Sequence, residues 1–85
     1  MKLNVLNSNR LDYIQQQNVL SFSETLSSIL VMCDRAQIDH GNVSVELDVS
    51  DSNSTLVTCT GSQLALDFIT NEIRQLKLKG VRLGN

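Results

Sequence analysis

Two cysteines, a single histidine and a cluster of acidic and hydroxyl side chains are the residues here with the most chemical reach. Cys33 and Cys59 lack the paired spacing of a metal or redox motif, and two cysteines are too few for a disulfide framework. A reactive thiol needs a cationic, partly exposed setting and a base nearby. Cys33 falls on an apolar helical stripe, and Cys59 on the apolar side of an alternating strand, so both are expected in the core. His40 follows a long helical pattern and is expected to act as a cation near that helix's C-terminal end.

The acidic cluster consists of Asp48, Ser50, Asp51 and Asn53. Asp48, Ser50 and Ser52 occupy the first three ligand offsets of a calcium loop. The glycine that loop requires is replaced by Asn53, and its bidentate glutamate by Cys59. A turn built from short polar side chains is therefore expected, with no metal. Thr60, Gly61 and Ser62 precede a second helical pattern, where free amides and the helix dipole can hold an anion or small ligand. One glycine without a lysine is not a phosphate loop. A strand-to-helix turn also needs a glycine and a cap for its own sake. These three residues are nevertheless the candidate ligand site.

No pair of carboxylates shares an apolar wall, and no histidine–carboxylate–nucleophile set can be read. A chain of 85 residues offers little room for a deep pocket. The expectation is a protein that is not an enzyme and needs no cofactor. The net charge of −2 argues against nucleic acid as the main partner. Charge is uneven, however: residues 71–85 carry Arg74, Lys77, Lys79 and Arg82 against Glu72 alone. Cations there complement the negative pole of a helix, and Arg74 and Lys77 are candidates for docking an acidic partner. The longest apolar run, Ile29 to Cys33, falls far short of the ~20 residues that span a bilayer. The N-terminus lacks the pattern of a signal peptide, so no membrane association and a cytoplasmic location are expected.

These residues must be positioned by a small set of elements. Ser21 and Glu24 have the spacing of a capping box. Phe22, Leu26, Ile29, Leu30, Cys33 and Ala36 then recur on one helical face, which predicts a helix over 21–39 stopped by Gly41. Val31 and Ile38 point off that face and are candidate partner contacts. Val43, Val45, Leu47 and Val49 alternate with Ser44, Glu46, Asp48 and Ser50, which makes a strand with one wet face. A second strand is expected at 55–60. An odd loop at Ser52–Ser54 would set Val49 opposite Val57 and Leu47 opposite Cys59. The wet strand, with Glu46 and Asp48, is expected at an acidic edge open to a partner.

A second helix is expected over 62–79, ended by Gly80, with a short strand at Val81–Leu83. Lys2 to Leu6 reads as the first strand. Residues 10–20 read as a second strand hairpinned over Asn7-Ser8-Asn9, with a short helix as the alternative. The whole is a single domain of 85 residues in the α+β class. It is expected as a two-layer sandwich, a mainly antiparallel sheet with two helices on one face, ferredoxin-like βαββαβ, or else ββαββα. That fold hosts many functions and settles none. An RNA-recognition version needs aromatics on a central strand, which residues 55–60 lack. The function expected first is a small protein–protein interaction module, a regulator, adaptor or inhibitor acting as a homodimer. An ACT-like domain binding a small molecule is the alternative, and a thiol-dependent enzyme a distant third.

Overall fold

The computed structural model describes residues 1–7, 11–50 and 54–84. Its elements, in chain order, are β1 (Lys2–Leu6), α1 (Tyr13–Arg35), β2 (Ser44–Asp48), β3 (Thr55–Thr60), α2 (Gln63–Leu76) and β4 (Val81–Leu83). The class is α+β and the element order βαββαβ. Of the expected second strand at 10–20, residues 13–20 are instead the first third of α1, which removes the ββαββα alternative.

The helix begins earlier because a stronger start signal precedes Ser21. Asp12 accepts from the Gln15 amide at 2.7 Å, and the Gln15 side chain accepts from the Asp12 amide at 3.1 Å, a reciprocal capping box. Ser21 lies inside the helix, and its carbonyl accepts from the Thr25 hydroxyl. The helix also ends earlier than predicted. Gln37 adopts φ 58°, and Gln37 and Ile38 donate to the carbonyls of Asp34 and Cys33 in a Schellman closure. Glycine is therefore not the stop: Gln37 takes the left-handed position four residues before Gly41. At the end of α2, Lys77 does the same with φ 49°, ahead of the expected Gly80.

Strand order in the sheet is β1-β2-β3-β4. β1 and β2 run parallel, β2 and β3 antiparallel, and β3 and β4 parallel. The sheet is thus mixed, with two parallel pairs, where a mainly antiparallel one was expected. Each helix crosses between neighbouring strands, so neither crossover is split by a third strand as the ferredoxin-like arrangement requires. The inner faces give the reason. Val45 and Leu47 of β2 and Val57 and Cys59 of β3 are completely buried, whereas Leu3, Val5, Val81 and Leu83 are half-buried. The hairpin therefore takes the middle of the sheet, and the less apolar outer strands become its edges.

Leu47 pairs with Val57 and Val45 with Cys59. The register differs from the expected one by two residues, so every side chain keeps its predicted face. Pairing of β2 with β3 ends at Asp48. Asp48 accepts from the Ser50 amide, and the Val49 amide donates across to Leu6. Of the expected loop, Ser52 and Asn53 lie outside the described residues, as do Asp51, Ser8 and Asn9. Phe22, Leu26, Ile29 and Cys33 of α1 and Ala65, Ile69 and Ile73 of α2 cover the inner sheet face in one core. Both helices lie on that face. No described helix covers the other face, which has Glu46 and Thr58 at its centre.

Candidate functional site

Cys33 and Cys59 are fully buried, and neither is in a disulfide. Burial pushes both thiols above their ordinary pKa, and Asp34 and Glu72 add to the effect at Cys33. That is the opposite of what a nucleophilic thiolate needs. A neutral thiol reagent is expected to leave both cysteines unmodified in the native protein and to label both on unfolding. Rapid native labelling of Cys59 would contradict this placement.

His40 places Nε2 2.9 Å from Asp34 Oδ1, just past the end of α1, so it holds the exit turn to the helix. Asp48 accepts from the Asn7 side-chain amide at 2.9 Å and from the Ser50 amide at 3.0 Å. The Asn7 bond is the larger cause, with the Ser50 bonds next, of a carboxyl held below its ordinary pKa. This clasp ties the end of β1 to the end of β2. A depressed pKa means it is complete above the ordinary carboxylate range and is lost as pH falls through the lowered value. Among the described residues no group of three potential ligands gathers to hold a metal.

Thr60, Gly61 and Ser62 are exposed. Ser62 is the N-cap of α2, but its side chain makes no capping bond. Gly61 has φ 149°, and a Cβ there would lie 3.0 Å from the Asn42 carbonyl oxygen and from Val43 Cα. The glycine is explained by this close approach of two backbones.

The residues expected at a partner surface separate. Val31 is half exposed on the outer face of α1, but Ile38 is drawn back against the core by the Schellman turn and is not part of that stripe. Tyr13 and Leu20, 74% and 55% exposed, join Val31 instead, at intervals of 7 and 11 residues. Sequence reading missed them because it read residues 10–20 as a strand. Glu46 is exposed and Asp48 half-buried, but β2 is paired on both sides, so neither stands at a sheet edge. The edges are β1 and β4.

Each edge has a defined set of free backbone groups. Lys2 donates to Val43 and Leu6 accepts from Val49, so the even residues of β1 bond to β2. The N–H and C=O groups of Leu3 and Val5 then point outward. On the other side, Gly80 accepts from Thr55 and Gly84 donates to Val57, which turns the groups of Val81 and Leu83 outward. Beside β4 lies a cleft of about 250 Å³ lined by Ile73, Arg74, Lys77, Leu78, Val81 and Leu83. Arg74 and Lys77, expected as docking cations, do come together on it, because the left-handed Lys77 ends α2 at its rim. Among the described residues the one ion pair is His40 with Asp34, so neither cation has a carboxylate partner.

Comparison with protein-family models, curated proteins and solved structures finds no match to the chain. Among the described residues no helix is long and apolar enough to cross a membrane.

Proposed function

We propose that this chain is a small non-enzymatic protein–protein interaction module, a regulator, adaptor or inhibitor, that works as a homodimer joined through β1. The observation that carries this reading is the unprotected β1 edge. Five residues present the free groups of Leu3 and Val5 with no proline, and with Lys2 as the strand's one charge. Leu3 and Val5 aim into the core yet stay half-buried, because no described strand flanks them on that side.

A second copy fits this edge in one register better than in its neighbours. With the two strands antiparallel about a two-fold axis at Asn4, Leu3 of each copy meets Val5 of the other. Both outward pairs then exchange N–H···O bonds, four in all by strand geometry. Centring on Leu3 or Val5 instead leaves one residue of the pair without its match. In the favoured register Lys2 faces the other copy's Leu6, so no like charges oppose.

Asn4 is exposed, and its backbone bonds run to β2. Replacing it with lysine leaves the fold intact but sets two ammonium groups face to face across the axis. Light scattering over a concentration series is expected to show Asn4→Lys dissociating at a concentration at least about tenfold higher than the wild type. Mixing Asn4→Lys with Asn4→Glu is expected to restore association. A wild type that stays monomeric throughout, or a variant that associates as the wild type does, would sink the homodimer.

A further inference from the structure

The β4 edge differs from the β1 edge in a way that points to a different occupant. It is three residues long, too short to support a symmetric strand pair of useful length. It is, however, bordered by a cavity, which the reading of β1 does not include. Ile73, Leu78, Val81 and Leu83 make an apolar floor, and Arg74 and Lys77 stand on the rim. Val81, Leu83 and Leu78 are half-buried against the core, so the floor is firm, while both cations are exposed.

We propose that this edge and cleft bind an extended peptide segment that carries an apolar residue and an acidic residue two positions apart. Three features on one side of the molecule set that pattern. The outward N–H and C=O groups of Val81 and Leu83 can pair with the main chain of an added strand, the usual source of affinity in strand addition. Alternate side chains of such a strand point to one face, so residues i and i+2 both meet the helix layer. One of them fills the apolar cleft. The other lies about 7 Å further along, where Arg74 and Lys77 reach it over the end of α2.

Charge complementarity selects an acidic peptide over a neutral or basic one. The protein is acidic overall at −2, yet four of its seven lysines and arginines fall in residues 71–85. A local cationic rim on an acidic protein favours an acidic segment by short-range contact, with little help from long-range attraction. Binding of this kind is weak, because a single short strand buries little area and must be ordered on arrival.

This inference rests on the interaction-module reading but uses the edge opposite to the dimer's. The test is a titration of the full chain with a labelled threonine-rich peptide holding leucine and glutamate two positions apart. A lysine-for-glutamate peptide and anionic phospholipid vesicles serve as controls. The glutamate peptide is expected to bind, with NMR amide shifts concentrated at Val81 to Gly84. Affinity is expected to fall at least tenfold for the lysine peptide and for the double variant Arg74→Glu, Lys77→Glu, and to weaken with salt. Arg74 and Lys77 are exposed, so unchanged amide spectra elsewhere confirm that the variant is folded.

Several outcomes overturn the proposal. One is no binding at about 1 mM peptide; others are equal affinity for both peptides, shifts mapped to β1, and vesicle binding without peptide binding. Movement of the β4 amides with protein concentration alone would assign the cleft to a second copy, which also overturns it. A chain that dimerises through β1 but ignores the peptide refutes this inference and leaves the homodimer standing.

Discussion

Replacing Leu47 with alanine is expected to lower stability by about 3 kcal/mol, the typical cost of emptying a buried leucine site. Leu47 is completely buried and sits in the middle of the sheet, opposite Val5 on β1 and Val57 on β3. Strand backbones on both sides and helices above leave no room for the site to collapse, so the cavity persists. A domain of this size has of order 4–13 kcal/mol in total, so one substitution removes a large share. Urea unfolding followed by circular dichroism gives the value. Val31→Ala on the exposed face of α1 is expected to change stability by no more than about 0.5 kcal/mol. A Leu47→Ala protein as stable as the wild type would contradict the burial of β2 between its neighbours.

Gly61→Ala is expected to cost about 2–4 kcal/mol, although it adds a single methyl group. Two penalties coincide. A φ of 149° is a conformation that alanine rarely adopts, and the new Cβ would meet backbone atoms of Asn42 and Val43 at 3.0 Å. Backbone cannot swing aside as a side chain does, so the connection between β3 and α2 must shift. Ser62→Ala, one residue on, is the informative contrast. An N-cap serine usually contributes about 1 kcal/mol, but this one makes no side-chain capping bond. Its replacement is expected to be near neutral. If Ser62→Ala proved as costly as Gly61→Ala, the step would owe its residues to capping, and the close backbone approach would not explain the glycine.

Much of the core was legible because its signals are periodic. The alternation from Val43 to Val49 and the helical spacing of Phe22, Leu26, Ile29 and Cys33 put these residues inside, and they are buried. The strand at 55–60 has the bounds the sequence suggests. Parity carried the hairpin faces even though the register slid by two residues, since a two-residue slide turns no side chain over.

The missed features are ones where two local signals compete or where distance decides. Two start signals compete, Asp12 with Gln15 and Ser21 with Glu24; the second is the expected start, whereas the first caps α1. Non-glycine residues at the left-handed positions, Gln37 and Lys77, leave no trace in a search for glycine stops. As a result Ile38 looked like an outward contact although it folds back to the core. Strand neighbours are set by which pairs bury most, so β2 appeared to be an edge until β1 was seen beside it. Of the candidate partner residues, Arg74 and Lys77 were readable as a charge excess, but the cleft between them and β4 depends on where α2 ends.

The central claim is that β1 is a shared edge. Amide hydrogen exchange at Leu3 and Val5, followed as a function of protein concentration, tests it most directly. Asn4 and Leu6 donate within the chain and are expected to be protected at every concentration. Leu3 and Val5 have outward N–H groups that no described strand covers. Their exchange is expected to slow as concentration rises and to quicken again in Asn4→Lys. Fast exchange at both residues at high concentration, with Asn4 and Leu6 still protected, would show a bare edge and contradict the account.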